Sequence, residues 1–287
     1  MPFTAATVQF APRMGDVAAN LERMAEIIRQ CASEGADLVV FPEAAVSGYM
    51  IEGGVTEVAL APADLCSRLA ELVGKLDHPV DVVVGFYETA HGQPHNSAAY
   101  LELGENPKVL HVYRKFFLPT YGVFDENRYC QAGHDVGVFN TRLGRIAILI
   151  CEDVWHSILC TLCAIKGADV AIVPIASPAR GFSEDKPSNV LRYERMLKAL
   201  SDEHGMYAIS SCLSGFEGGK GLAGASRIYS PYGECLAESP ALGESIVMSS
   251  IDIDLVAASR AKSPLLSDLQ ARWARVRQMF LEAEPGD

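Results

Sequence analysis

The chain of 287 residues contains no uncharged apolar run of 18 residues, so nothing in it is long enough to cross a bilayer as a helix. Its opening, MPFTAATVQFAPRMGD, lacks the basic patch and long apolar stretch of a secretory leader, and the expected location is the cytoplasm. Positive charge is scarce. With 24 Lys and Arg against 36 Asp and Glu, the formal net charge is −12 and the sequence pI about 5.1. No basic stripe is available to neutralise phosphates, which excludes nucleic acid and anionic membranes as expected partners. Cysteine is not scarce, at eight, but Cys160 and Cys163 form a CxxC with no second pair at zinc spacing, and reduced, mostly buried thiols are expected. Gly219, Gly221 and Gly224 have a GxGxxG spacing, yet they follow a polar loop and precede ASRIYS instead of opening a helix, which argues against a dinucleotide site. Neither a metal nor an organic cofactor is expected.

What is present is an ordinary globular composition, 49% hydrophobic and 21% charged, enough for a sizeable core. The central feature is Arg145 to Trp155, RIAILICEDVW. Ile146, Ile148, Leu149 and Ile150 read as a strand buried on both faces. Cys151 ends it, and Glu152 and Asp153 are expected to open a helix whose apolar positions are Ile158, Leu159, Leu162 and Ile165. A cysteine in a strand-to-helix turn is well presented as a nucleophile, and the first N–H groups of the helix would favour its thiolate. The alternative is simple packing, since free cysteine is among the most buried residue types.

The rest of the chain supplies candidate partners. Phe3 to Phe10 reads as a strand, followed by a helix capped by Asp16, carrying Val17, Leu21, Met24, Ile27, Ile28 and Cys31 on one face and closed by Gly35. Leu38 to Phe41 is a second strand, stopped by Pro42, with Glu43 just past its end. A helix around Leu65, Leu69 and Leu72 and a strand from Val80 to Phe86 follow. Ser97 to Leu103 and Lys108 to Tyr113 read as a hairpin about Gly104 to Pro107. It leads into YRKFFLPTYGVFDENRYC, where Lys115 lies among aromatics, either as a functional cation or as a snorkelling surface lysine. GADVAIVP (167–174) nearly repeats GADLVVFP (35–42), each with a Gly ending a helix and a Pro expected to end the strand. Two similar halves are implied, with Ile175 to Pro178 corresponding to Glu43 and its neighbours. A helix from about Asn189 to Glu203, a strand at Tyr207 to Cys212 and a hairpin formed by the Ser230 to Gly233 turn with Ser245 to Ile253 follow. The tail from Leu265 carries Leu266, Leu269, Trp273, Val276 and Phe280 at helical spacing. His156 as a partner for Cys151 lies only five residues along the same turn, and Ser177 as a nucleophile has no recognisable elbow.

Together FPEAAVSGY, YRKFFLPTYGVFDENRY and ILICEDVW resemble the three signature regions of the nitrilase superfamily of carbon–nitrogen hydrolases, with weaker likeness from Thr4 to about Ile253. The resemblance implies a catalytic set of Glu43, Lys115 and Cys151, with Glu126 as an additional glutamate. It also implies an α/β fold, a four-layer α-β-β-α sandwich of two similar halves, usually assembled into dimers. CEDVW and LPTYGVFDENRY look closest to the glutamine-hydrolysing domain of glutamine-dependent NAD synthetases. With no ATP-binding segment in the sequence, the expectation is a single domain over 1–287, a free-standing amidase, with 260–287 as a tail at a subunit interface of a homodimer or larger assembly. The substrate would be a small amide, or a nitrile as the alternative, bound by Tyr49, Phe124, Glu152, Trp155, Ser177 and Arg180. Arg180 is either a clamp for a substrate carboxylate or a solvated loop residue. A non-catalytic binding protein on the same scaffold is the reading from another class.

Overall fold

A computed structural model describes residues 2–181 and 186–283. The first half contains β1 (Phe3–Gln9), α1 (Val17–Ser33), β2 (Leu38–Val40), the single-turn α2 (Val55–Val58), α3 (Pro62–Val73), β3 (Val80–Ala90), β4 (Gln93–Leu103) and β5 (Lys108–Arg114). The second contains β6 (Val138–Thr141), β7 (Gly144–Ile148), α4 (Ser157–Ile165), β8 (Val170–Ile175), α5 (Ser188–His204), β9 (Tyr207–Cys212), β10 (Gly215–Glu217), β11 (Lys220–Leu222), β12 (Arg227–Tyr229) and β13 (Cys235–Glu238). β14 (Ser245–Ile251), α6 (Asp254–Lys262) and α7 (Leu265–Glu282) complete it.

Two six-stranded sheets form the centre, ordered β14-β1-β2-β3-β4-β5 and β13-β12-β9-β8-β7-β6. Each has three parallel strands, β1, β2 and β3 or β7, β8 and β9, flanked by antiparallel ones. The two sheets therefore share one arrangement of strand directions, although β14 comes from the end of the chain and its counterpart β6 directly precedes β7. The repeat is visible in hydrogen bonds. Asp37 N–H donates to Thr4 O while Thr4 N–H donates to the Asp37 carboxylate; Asp169 and Arg145 make the same reciprocal pair. Gly35 and Gly167, each with φ near +85°, end the preceding helices where a side chain would be strained.

The layers follow from strand alternation. Ala6, Val8, Val39, Val82 and Val84 face Leu21, Met24 and Ile28 of α1 and Leu65 and Leu69 of α3. The opposite positions, including Ala5, Leu38, Val40 and Val83, join the core that holds Ile146, Ile148, Ala171, Val173 and Ile209 of the other sheet and residues of α4 and α5. Between the sheets, Thr7 Oγ1 donates to Ser210 O at 2.7 Å and Ser211 Oγ to Val8 O at 2.6 Å, so these two buried hydroxyls are paired. This is the four-layer α-β-β-α sandwich implied by the motifs.

Several local expectations are corrected. Pro174 does not end its strand; it sits inside β8, opposite Ser211. The Ser230–Gly233 turn joins β12 to β13, while β14 crosses to the other sheet and pairs with β1. Cys151–Trp155 is a 3-10 turn, and α4 begins only at Ser157, after extended His156. That break resets the helical phase, so Leu159, Cys160, Cys163 and Ala164 are buried and Ile158 is exposed. The tail forms α7, which packs on α4 and α5 through its first turns, burying Leu266; residues 284–287 lie outside the described residues. Among the described residues no helix is long and apolar enough to cross a membrane.

Candidate active site

The parallel strands of both sheets end at one place. Glu43 follows β2, Cys151 follows β7, Ala176 follows β8 and Lys115 follows β5. Both strand-end turns are tight: Ala44, next to Glu43, has φ +51° and Cys151 has φ +49°. The left-handed region costs a non-glycine residue roughly 1–2 kcal/mol, and here it turns the Cys151 side chain out of the strand direction. Gly85 makes room for the first turn, since a Cβ there would stand 2.2 Å from Pro42 O.

Lys115 is fully buried, so the surface reading of this lysine is wrong. Its Nζ donates to Glu43 Oε1 at 2.7 Å and to Glu126 Oε1 at 2.6 Å. Burial alone would drive off its proton, but the Glu126 and Glu43 carboxylates outweigh that and hold the ammonium well above its ordinary pKa. For Glu126, burial dominates over the attraction of Lys115 and raises the carboxyl. Tyr49 Oη donates to Glu126 Oε1, and Asn96 Nδ2 donates to Glu43 Oε1 at 2.8 Å and to Glu126 Oε2 at 3.3 Å. One cation and two carboxylates thus share a closed network.

Ala176 connects that network to the thiol. Its N–H donates to Glu43 Oε2 at 2.7 Å and its carbonyl accepts from Cys151 Sγ at 3.7 Å. Burial, followed by the negative Glu43, raises the Cys151 thiol well above its usual range, against the opposing pull of Lys115. Both influences favour the protonated thiol, so a nucleophilic role for Cys151 requires a base to take its proton. The Asp153 carboxylate fixes the turn. It accepts from Ile150 N at 3.0 Å and Tyr113 Oη at 2.8 Å, and from Phe116 N and Phe117 N at 3.2 and 2.9 Å.

The expected substrate residues divide into two groups. Tyr49 and Phe124, packed edge to face at 6.2 Å, line a cavity of about 260 Å³ with Tyr87, Glu126 and Cys130; Cys151, Trp155, Ser177 and Arg180 are not among its walls. Trp155 packs edge to face on Tyr193 of α5 at 5.5 Å, and Ser177 Oγ accepts from Asn189 Nδ2 at 2.9 Å. Arg180 is half-buried, neither fully solvated nor enclosed, with its guanidinium 5.3 Å from the Phe124 ring centre. Glu152 accepts from Tyr121 Oη at 2.8 Å and approaches His156 Nε2 at 3.8 Å. Tyr121 in turn packs edge to face on Phe124 at 5.6 Å, so Glu152 and Arg180 flank one aromatic group with opposite charges.

Sequence reasoning missed Asn96, Asp153, Tyr113 and Tyr193. Asn96 stood at the edge of an anticipated strand, and a polar residue entering an apolar run was its only signal. Asp153 looks from sequence like a helix-opening acid. Tyr193, with Leu197 and Leu200 at helical spacing, looks like core from sequence. Among the described residues no group of three His, Cys, Asp or Glu side chains is arranged to hold a metal ion.

The family model for carbon-nitrogen hydrolases matches residues 4–261. The chain is 31% identical over 255 residues to a glutamine-dependent NAD(+) synthetase of Acinetobacter baylyi, an alignment covering 88% of this chain but 44% of that protein. It is 26% identical to a probable nitrilase of Schizosaccharomyces pombe, covering 87% of this chain and 88% of the relative. A carbon-nitrogen hydrolase from Helicobacter pylori shares the fold, with a TM-score of 0.83 at 23% identity over 93% of this chain and 95% of that one. The chain thus spans less than half the length of the synthetase that it resembles.

Proposed function

Because the chain belongs to the carbon–nitrogen hydrolase family, we propose that it is a Glu-Lys-Cys amidase that converts a small carboxamide to its acid and ammonia through a thioester on Cys151. The observation that carries this reading is the residue Ala176, whose N–H binds Glu43 and whose carbonyl meets the Cys151 thiol, which brings base and nucleophile to one point beside a buried ammonium. Glu43 takes the Sγ proton as sulfur attacks the carbonyl carbon. The oxyanion is met by Lys115, which while charged has donors only. Collapse breaks the C–N bond as Glu43 returns the proton to nitrogen, and ammonia leaves. Glu43 then deprotonates water, which attacks the thioester; the C–S bond breaks, the acid leaves, and Glu43 returns the proton to the departing sulfur. Glu126, Tyr49 and Asn96 keep the Lys115 ammonium aimed throughout. None of these steps calls for a metal or cofactor.

On the acyl side, Glu152, bonded to Tyr121, and Arg180, over Phe124, suit an amide that carries both an ammonium and a carboxylate, and the synthetase relative is named for its dependence on glutamine. Kinetics on neutral amides, ω-amides of amino acids and matching nitriles, with wild type and Arg180→Ala, test this. Selective loss for the carboxylate-bearing amides is expected in the variant. Equal effects on neutral amides would remove the clamp, and ammonia from nitriles alone would make the protein a nitrilase. Cys151→Ala should abolish turnover and remove one iodoacetamide adduct by intact mass. Lys115→Ala should lower kcat by about 10²–10³. Unchanged hydrolysis by Cys151→Ala, or no turnover by wild type on any amide or nitrile, would leave a non-catalytic binding protein as the better account.

A further inference from the structure

We propose that Tyr193 is a further catalytic residue, whose hydroxyl donates to Cys151 Sγ and stabilises the sulfur anion both when it attacks and when it leaves. The inference rests on the assignment of Cys151 as nucleophile. Tyr193 Oη lies 3.0 Å from Sγ, reaching it from α5, an element that none of the sequence motifs includes. The residue is 6% exposed, and a buried phenol is held to a hydrogen-bond partner; here that partner is the sulfur.

The direction of this bond follows from the other contact of the sulfur. Ala176 O can only accept, so the thiol hydrogen has a place there, and the phenol hydrogen is left to point at sulfur. Once Glu43 removes the thiol proton, Sγ becomes a pure acceptor and the Tyr193 bond becomes charge-assisted, the stronger class of hydrogen bond. No proton passes from tyrosine: burial and the neighbouring sulfur both hold its hydroxyl well above the ordinary pKa.

The need for such a donor is local. Lys115 already divides its charge between Glu43 and Glu126, and burial and Glu43 both oppose the thiolate. A neutral donor adds no charge that would compete for Glu43. When water attacks the thioester, the same hydroxyl meets the departing thiolate. Trp155, packed edge to face against the ring, fixes the position from which it donates.

The test is the pH dependence of Cys151 alkylation by iodoacetamide, followed by the mass of the Cys151 peptide, in wild type and Tyr193→Phe. Phenylalanine keeps the ring packing and removes one oxygen. The midpoint should move up by about one pH unit, and kcat on an amide should fall about tenfold with little change in KM. An unchanged midpoint, even with lower kcat, overturns the proposal and leaves Tyr193 as packing. A wild type in which exposed Cys235 is alkylated but Cys151 never is overturns the nucleophile assignment itself. If Tyr193→Phe does not fold, site-specific 3-fluorotyrosine at 193, a stronger donor of nearly the same shape, must move the midpoint down; no movement overturns the proposal.

Discussion

The Asp153 carboxylate accepts the Phe117 N–H at 2.9 Å, joining the turn that holds Cys151 to the loop that holds Lys115, although the two segments come from different halves of the fold. The same carboxylate accepts Ile150 N and Tyr113 Oη, so thiol and ammonium are positioned by one buried group. Asp153→Ala would leave the buried Ile150 N–H and Tyr113 hydroxyl without this acceptor, at about 1–3 kcal/mol each, and free the part-buried Phe116 and Phe117 N–H groups as well. A fall in the urea midpoint together with a loss of turnover larger than any loss of folded protein is expected. Wild-type turnover in a destabilised variant would show that the link is structural only.

Gly85 should be intolerant of the smallest side chain. A Cβ there would lie 2.2 Å from Pro42 O and 2.6 Å from Glu43 Cα, so Gly85→Ala must displace the turn that carries Glu43. Activity should fall at least tenfold, since small misplacements of reacting groups are costly. Ala98, the neighbour of Gly85 in β4, is a fair comparison: Ala98→Gly should leave activity far closer to wild type. Equal activity of Gly85→Ala and wild type would show that the turn relaxes freely.

Acid sensitivity should arise in part from His111, which stacks on Phe139 at 4.2 Å. Burial lowers its pKa despite the nearby Asp135. The folded state therefore binds this proton less readily than the unfolded chain. The stability that comes from keeping the ring neutral is present above the unfolded value of about 6.5 and is lost as pH falls below it. His111→Phe removes that term. The difference in Tm between variant and wild type should shift in favour of the variant between pH 7 and pH 5. A constant difference would assign the acid response to other groups.

Assembly is a proposal drawn from α7. Trp273 and Val276 are half-buried, and Phe280 on the same stripe is 59% exposed beside Met279 and Leu281, also exposed. Contiguous apolar surface of this kind marks association sites. Sedimentation at micromolar concentration should give at least a dimer, and Phe280→Asp should weaken it. A monomer at all concentrations would refute it.

Most of the local elements and the candidate site residues could be read from the sequence, because both depend on short-range patterns. Continuous apolar runs gave the parallel strands, GADLVVFP and GADVAIVP gave the twofold repeat, and the motif residues Glu43, Lys115, Glu126 and Cys151 do converge. Tertiary structure alone decided which sheet received β14, where α4 began, and which neighbours completed the site. Asn96 carries only the weak signal of a polar residue entering an apolar run, and Tyr193 none, since a hydrogen bond to a carboxylate or a thiol depends on where distant strands and helices end in space. The state of the thiol was decided in the same way. Its pKa follows from burial and the balance of Glu43 against Lys115, sums over groups that become neighbours only when the two sheets pack.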